Sequence, residues 1–279
     1  MNFLACDCEY ANSNITIFGA PFDATASNRK GARLAPGAMR QESQQIETYS
    51  PYCDLDLENF RIHDCGDLEF QTDDAAEMVE IIEQHSSKLL SDGKIPFMLG
   101  GEHLVTLGAV RAAFAKYPDL HIIHFDAHTD LRDEYLGESL SHATVIRKCW
   151  DFLGDGRIFQ FGIRSGERAE FEWAKTHTAL QKFNFSGLDD IVISLAGKPI
   201  YFTLDLDVLD PSELCGTGTP EAGGVSFTEL RNAIEQVCKL NVVATDVCEL
   251  APQLDASGAS TAIACKIVRE MLLNIRKNI

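Results

Sequence analysis

The sequence of 279 residues has no long apolar run, no paired cysteine motif and few basic residues. Nowhere do roughly 18 apolar residues follow one another, so we expect no membrane-spanning helix and no membrane partner. The N-terminal segment carries Asp7 and Glu9 and lacks a basic start, so we expect no signal peptide. The nine cysteines are scattered without Cys-x-x-Cys spacing, which favours reduced thiols in a cytoplasmic protein.

Acidic residues dominate the charge. There are 42 Asp and Glu against 24 Lys and Arg, which gives a formal net charge of -18. A phosphate backbone would be repelled, so we expect no nucleic-acid partner, whereas a small cationic substrate would not be repelled. The sequence also lacks a linker-like segment and a fixed-period repeat, so we expect residues 1–279 to form a single domain.

Short apolar, β-branched segments alternate with amphipathic segments along most of the chain. The strand candidates are Ile15–Phe18, Ile95–Leu99, His121–Asp126, Ile158–Ile163, Ile200–Asp205 and Val242–Cys248. The helix candidates are Ala75–Ser91, Leu104–Lys116, Gly166–Thr176, Ser186–Leu195, Thr228–Leu240 and Thr261–Ile275. This alternation predicts a three-layer α/β fold, with a central parallel sheet between two layers of helices.

Polar side chains collect at the carboxyl ends of four predicted strands, where such sheets bind ligands. They are His103 after one strand, Asp126, His128 and Asp130 after the next, Asp205 and Asp207 at another, and Glu249 after the last. Residues two apart on extended backbone face the same side, so each Asp-containing set should point one way. Gly100 and Gly101 are expected to let the chain turn sharply and carry His103 towards the same place.

Apart from Glu249, this set contains two histidines and four carboxylates, which together predict a metal centre. Four negative charges in one desolvated pocket would repel one another, so a cation must be present or several acids must be protonated. One ion cannot use six side chains and keep an open position, whereas two ions can if two carboxylates bridge them. Two ions about 3.5–4 Å apart can share a water and lower its pKa. The oxygen-rich ligand set suits manganese, and nickel, cobalt or zinc stay open.

Each of these residues also has an ordinary structural explanation. An isolated Asp-x-Asp at a strand end is usually a turn or a helix cap, and an isolated histidine there more often forms a hydrogen bond than binds a metal. A purely structural role for all six together is much harder to sustain. His121 and His124 lie on the strand itself and are expected to be structural.

Three segments of the sequence resemble the signature blocks of the ureohydrolases, the arginase and agmatinase family. They are GGEHLVTLG (Gly100–Gly108), FDAHTDLRDEYLGESLSHATVIRK (Phe125–Lys148) and TLDLDVLDPSELCGTGTPEAGG (Thr203–Gly224). Residues Gly19–Arg40 and Asp246–Leu272 are similar to the family's terminal blocks, so the likeness runs nearly end to end. The resemblance implies the three-layer arginase fold and a homo-oligomer, either a trimer or a hexamer.

The resemblance also implies two Mn²⁺ per subunit and assigns a role to each candidate. One ion would be bound by His103, Asp126, Asp130 and Asp205, and the other by Asp126, His128, Asp205 and Asp207. Asp126 and Asp205 would bridge the two ions. His142 would be a proton shuttle, although it could also be an ordinary loop histidine. Glu249 would bind the guanidinium group, although it could also be a cap before Pro252.

Within the family, the sequence is most similar to the agmatinases. PFD at Pro21–Asp23 and DLRDEY…SHA at Asp130–Ala143 are closer to the agmatinase form, and the acids of residues 131–141 suit a substrate with a second cation. The expected reaction is hydrolysis of agmatine to urea and putrescine. Those acids could equally form a solvated surface with Arg132 paired to its own neighbours.

Two alternatives to agmatine hydrolysis are another guanidino substrate and a chain without catalytic activity. Arg132 could bind the carboxylate of another guanidino compound, so the candidates include guanidinobutyrate, guanidinopropionate, arginine, formiminoglutamate and guanidine. A catalytically silent family member is less expected, because all six predicted metal ligands are present.

Overall fold

Eight parallel strands form the central sheet of the protein. The computed structural model describes residues 1–277. The strands of the sheet are β1 (Ile15–Ala20), β4 (Ile62–Asp67), β5 (Ile95–Gly100), β6 (His121–Phe125), β7 (Ile158–Ile163), β8 (Ala179–Lys182), β9 (Pro199–Asp205) and β10 (Asn241–Cys248). Across the sheet they follow the order β4-β1-β5-β10-β9-β6-β7-β8. A short antiparallel hairpin, β2 (Tyr49–Ser50) and β3 (Leu55–Asp56), lies outside it.

The α-helices cover both faces of the sheet. In chain order they are α1 (Ala35–Ser43), α2 (Ala75–Ser91), α3 (Thr106–Lys116), α4 (Val145–Leu153), α5 (Arg168–His177), α6 (Leu188–Ser194), α7 (Phe227–Val237) and α8 (Ala259–Lys277). Helices α2 to α5 contribute to the hydrophobic core on one face, and α1, α6, α7 and α8 contribute to the core on the other. The prediction of a three-layer α/β fold with a central parallel sheet is therefore confirmed. The expectation of a single domain over residues 1–279 stays a prediction.

Burial on both faces explains why the inner strands read as nearly continuous apolar runs. On β9, the neighbouring residues Tyr201 and Phe202 pack into opposite cores and both are fully buried. The sequence missed β4 and β8, which form the two edges of the sheet. Their segments, IHDCGD and ALQK, are only partly buried and so carry no apolar run. It also missed α1 and α4.

Two findings relate to the expectations about membrane helices and cysteines. Within residues 1–277, no helix is both long and apolar enough to cross a membrane. No two cysteines form a disulfide in this part of the chain.

Candidate active site

The four strands that carry the predicted site residues are direct neighbours. They form the consecutive run β5-β10-β9-β6, so their carboxyl ends open onto one cavity of about 290 Å³. Its walls include His103, His128, Asp130, His142, Asp205 and Glu249. The other two predicted residues, Asp126 and Asp207, are almost wholly buried beside them. The eight predicted side chains therefore meet in one place.

A first cluster surrounds the Nδ1 atom of His103. This nitrogen lies 3.0 Å from Asp126 Oδ2, 3.2 Å from Asp130 Oδ2 and 3.4 Å from Asp205 Oδ2. It is buried and makes no hydrogen bond with any described residue. Atoms about 2.1 Å from a common ion, at right angles to each other, are about 3 Å apart. The observed spacing therefore fits ligand atoms arranged around one cation.

The hydrogen bonds behind His103 fix which of its ring nitrogens carries the proton. Asp246 accepts a hydrogen bond from the Thr203 hydroxyl at 2.6 Å, and further bonds from Thr106 and Tyr201. Since the Thr203 hydroxyl donates to Asp246, it must accept from His103 Nε2 at 2.8 Å. In the neutral imidazole, this leaves the lone pair on Nδ1 facing the carboxylates, which is the arrangement that a metal-binding histidine needs. Asp246 was not among the predicted site residues, although an acid within an apolar strand is a recognisable signal.

A second cluster lies around His128. Its Nδ1 atom is 3.0 Å from Asp207 Oδ2 and 3.5 Å from Asp126 Oδ1. Asp126 thus presents Oδ2 to the first cluster and Oδ1 to the second, as a bridging carboxylate would. Asp205 approaches the first cluster, and its Oδ1 accepts the backbone N–H of Asp207 at 2.8 Å. The role of Asp205 as a second bridge stays a prediction.

The electrostatics of the two clusters also fit bound cations. Burial, together with the charges of Asp207 and Asp126, raises the pKa of Asp205 well above its ordinary value. Burial by itself lowers the pKa of His103, but Asp126 and Asp130 outweigh it and raise that pKa well above its usual range. Without a metal, the protein therefore favours extra protons on these groups, because the protons reduce the negative charge of the cluster. Divalent cations would replace these protons.

Asp126 is oriented by a residue that the sequence had marked only as structural. His124 Nε2 lies 2.7 Å from Asp126 Oδ2, and Gln160 Nε2 lies 3.1 Å from His124 Nδ1. The Gln160 amide is fixed because it donates to Thr129 O and accepts from Thr178 Oγ1. Gln160 therefore donates to Nδ1, and His124 donates through Nε2 to the carboxylate. His124 supports Asp126 rather than presenting a lone pair to an ion.

The chain bends at Gly101 and Glu102, as predicted, and the glycines before His103 also serve a second purpose. A side chain at Gly101 would place its Cβ 2.0 Å from the carbonyl oxygen of Phe22. Neither Gly100 nor Gly101 has a positive φ, so close approach of the two backbones explains the need for glycine better than a sharp turn does. Asp130 and Glu249, in contrast, are non-glycine residues with φ values of 53° and 67°. Such unfavourable backbone geometry is concentrated at functional sites.

His142 reaches the cavity from a short 3₁₀ helix, His142–Thr144, that follows the loop after β6. Its Nε2 atom is 3.1 Å from Ser27 Oγ, and its backbone N–H donates to Thr25 Oγ1 at 3.1 Å. Thr25 in turn donates to the buried carboxylate of Glu102 at 2.5 Å. Burial lowers the pKa of His142, so the imidazole is mostly neutral at pH 7 and above.

The cavity wall corrects one expectation about substrate preference. The acids of the loop after Asp130, which are Asp133, Glu134 and Glu138, are exposed and do not line the main cavity. From that loop, only Arg132 and Tyr135 line it; the acids at this end are Glu167 and Glu170, at the start of α5. Arg132 forms ion pairs with these two glutamates and packs over the ring of Tyr135 in its own loop, but it pairs with none of the loop's acids. Sequence reasoning missed the two glutamates because no motif surrounds them.

Comparison with known proteins agrees with this geometry. Residues 13–273 match the model of the arginase family. The chain belongs to the arginase family. This family member is 46% identical to the agmatinase of Bacillus anthracis over 275 residues, covering 97% of this chain and 95% of the relative. It is 42% identical to the agmatinase of Bacillus subtilis, covering 99% and 96%.

A solved structure is similarly close to this arginase-family chain. The crystal structure of a putative agmatinase from Clostridium difficile superimposes with a TM-score of 0.94 at 49% identity, covering 96% of this chain and 99% of the other. The predictions of a ureohydrolase and of an arginase-like fold are confirmed. The chain is a hydrolase with a His/Asp cluster that could hold a metal.

Proposed function

We propose that the enzyme hydrolyses agmatine to urea and the polyamine putrescine, using two divalent ions, with manganese as the preferred metal. The observation that carries the proposal is the position of Asp126, which has one oxygen towards His103 and the other towards His128. It lies directly behind the wall of a cavity that both histidines and Glu249 line. The agmatinases of similar sequence support the choice of substrate.

The proposed metal ligands are those of the two clusters. His103, Asp126, Asp130 and Asp205 would hold one ion, and Asp126, His128, Asp205 and Asp207 the other. When bound, two such ions would lower the pKa of a shared water and so supply a nucleophile near neutral pH. An acidic wall also suits a cationic substrate.

Glu249 would hold the guanidinium group. Burial, and then the charge of Glu102, raises the pKa of Glu249 to about 8, so a bound cation would favour its ionised form. Its Oε1 accepts the backbone N–H of His103 at 2.7 Å, which ties the substrate-binding group to a proposed metal ligand. Its other oxygen has no hydrogen-bond partner among the described residues and is available to an N–H of the guanidinium.

His142 would move the proton. The attacking water forms a bond to the guanidinium carbon and loses a proton, which the neutral imidazole can accept. The bond from that carbon to the nitrogen of the aliphatic chain then breaks. The same proton passes to the leaving nitrogen, and the second proton of the water leaves the oxygen and is also taken up by the amine, so the products are urea and an alkylammonium ion.

The substrate assignment is tested by a panel of guanidino compounds offered to manganese-loaded protein. We expect the highest kcat/KM for agmatine and poor turnover of arginine, with product release measured for agmatine, arginine, guanidinobutyrate, guanidinopropionate, formiminoglutamate and guanidine. Chelator-treated protein provides the blank. A higher kcat/KM for any other member of the panel would overturn agmatine as the substrate while leaving the ureohydrolase chemistry in place.

The role of Glu249 is tested by Glu249→Gln. The amide oxygen can keep the hydrogen bond from His103 N–H, but the NH₂ group then faces the N–H groups of the substrate. Because a hydrogen bond to a charged group contributes roughly 1.5–3 kcal/mol, we expect kcat/KM for agmatine to fall about tenfold or more. Metal content and melting temperature should match the wild type. A near-normal kcat/KM, or a loss that follows the loss of metal, would contradict this role.

Two further properties belong to the same proposal. We propose that the enzyme works in the cytoplasm and as a homo-oligomer, either a trimer or a hexamer. Light scattering at several protein concentrations distinguishes these two assemblies from each other and from a monomer.

A further inference from the structure

The imidazole of His142 is engaged at both of its nitrogens by serine hydroxyls. Nε2 lies 3.1 Å from Ser27 Oγ, and Nδ1 lies 3.3 Å from Ser141 Oγ. Ser27 lines the main cavity together with His142, whereas Ser141 is buried and does not line it. The ring of Tyr135 packs edge to face against the imidazole, with the ring centres 5.7 Å apart, and limits its rotation. Nε2 is therefore the nitrogen on the cavity side, and it faces the Ser27 hydroxyl.

Ser27 lies in the segment between β1 and α1, and this segment is anchored on both sides of the serine. On one side, the buried Glu102 accepts hydrogen bonds from the Thr25 hydroxyl at 2.5 Å and from the Thr25 N–H at 3.3 Å. On the other side, Arg29 Nε donates to the carbonyl oxygen of Gly218 at 3.2 Å. The position of Ser27 is thus set by its neighbours in the chain, and its contact with the imidazole follows from that position.

The proposed reaction fixes which atoms carry hydrogen in these contacts. A neutral imidazole has one N–H and one lone pair. Because the ring takes up a proton from the cavity, the lone pair must be on Nε2, and Nδ1 then donates its hydrogen to Ser141. Ser27 accordingly donates its hydroxyl hydrogen to Nε2. Since the anchored serine occupies the approach to that lone pair, a proton from the cavity reaches the ring most directly through the hydroxyl.

We propose that the Ser27 hydroxyl relays the proton between the attacking water and His142. In the first step, an O–H bond of the water breaks and its hydrogen binds to Ser27 Oγ, while the Ser27 O–H bond breaks and that hydrogen binds to His142 Nε2. The water oxygen forms its bond to the guanidinium carbon, and the ring becomes an imidazolium. The inference rests on the proposed function, in which His142 moves this proton.

The return of the proton follows the same path. When the bond between the guanidinium carbon and the aliphatic nitrogen breaks, Nε2 gives its hydrogen back to Ser27 Oγ. The hydrogen that Ser27 had taken from the water passes at the same time to the leaving nitrogen. Ser27 and His142 therefore end the cycle as they began it, a neutral hydroxyl and a neutral imidazole.

The test is a series of substitutions at Ser27, measured by urea release from agmatine with manganese-loaded protein. For Ser27→Ala we expect kcat to fall about tenfold or more, with KM within about twofold of the wild type, because a proton-transfer group is lost and substrate binding is not. Ser27→Thr keeps a hydroxyl and should retain most of kcat. Ser27→Asn can still donate a hydrogen bond to Nε2, but an amide does not pass a proton on, so kcat should be as low as in Ser27→Ala.

Two controls separate the relay from a role in folding. Ser194→Ala makes the same chemical change at an exposed serine, whose hydroxyl donates to Ile191 O within α6 and lies outside the main cavity. This variant should leave kcat unchanged. Metal content and melting temperature should match the wild type in all three Ser27 variants.

A double variant shows whether Ser27 acts through His142. Adding Ser27→Ala to His142→Asn should lower kcat no further, because the relay then has no imidazole to serve. An equal further loss in the double variant would show that Ser27 acts independently of His142 and would overturn the inference.

Two results with the single Ser27 variants would also overturn it. A wild-type kcat in Ser27→Ala would show that the proton reaches the ring directly, and a recovered kcat in Ser27→Asn would show that the hydroxyl only orients the ring. Either result leaves the proposed function in place, whereas a normal kcat in His142→Asn alone would overturn the proposed role of His142 and the relay with it. If another guanidino compound is the better substrate, the same series on that compound tests the relay.

Discussion

Asp126→Asn is expected to abolish tight binding of both metal ions and to lower kcat for agmatine by about 10³-fold or more. Asp126 has one oxygen towards each cluster, with Oδ2 3.0 Å from His103 Nδ1 and Oδ1 3.5 Å from His128 Nδ1. Asparagine has the same size but only one oxygen, so its NH₂ group must face either an ion or the N–H of His124 or His128. Metal ions contribute several kcal/mol to such hydrolyses, and 4 kcal/mol corresponds to roughly a thousandfold in rate.

The measurement is elemental analysis of the purified variant, followed by manganese titration and a urea assay. Asp119→Asn is a suitable control, because Asp119 precedes β6 at its opposite end, is half exposed and pairs with Lys198. We expect two ions per chain in the wild type and in the control. An active preparation of wild-type protein with one ion or none would reject the two-metal proposal, and an Asp126→Asn variant with both ions and normal kcat would reject the bridging role.

The residues that meet in the cavity could be predicted because strand ends are encoded locally. Several inner strands are apolar runs that end at a polar residue, as in Leu204 to Asp205 and Cys248 to Glu249. What the pattern could not give was the order of the strands across the sheet. The run β5-β10-β9-β6 brings together segments more than a hundred residues apart, and it is this order that makes one cavity from four strand ends.

Residues that act on the site through others were much harder to find from the sequence. Asp246 contacts His103 only through Thr203, and Gln160 contacts Asp126 only through His124. Neither belongs to a spacing pattern, because the partners lie on different strands and meet only when the sheet has formed. The same reason explains the error about the acids after Asp130. The sequence prediction relied on the number of acids in that loop, whereas the acids that line the cavity there, Glu167 and Glu170, lie at the start of α5.

His142→Asn is expected to keep both metals and the fold but to lower kcat by about 10²–10⁴-fold, the range typical of a lost acid or base group. The backbone at this position is held independently of the ring, since Ser141 caps the short helix and Thr25 accepts the N–H of residue 142. Asparagine can keep a contact to Ser27 but cannot accept and release a proton near neutral pH.

Since burial lowers the pKa of His142, the wild-type imidazole accepts a proton at neutral and alkaline pH and loses this ability as the pH falls through that pKa. The variant should therefore lack this contribution to the acidic limb of its pH–kcat profile, and imidazole added to the buffer should restore part of its activity. Elemental analysis and the melting temperature check that the metals and the fold are retained. Unchanged kcat from pH 6 to 9 would show that solvent protonates the leaving amine without His142, and a fall in kcat that follows metal loss would reveal a structural role instead.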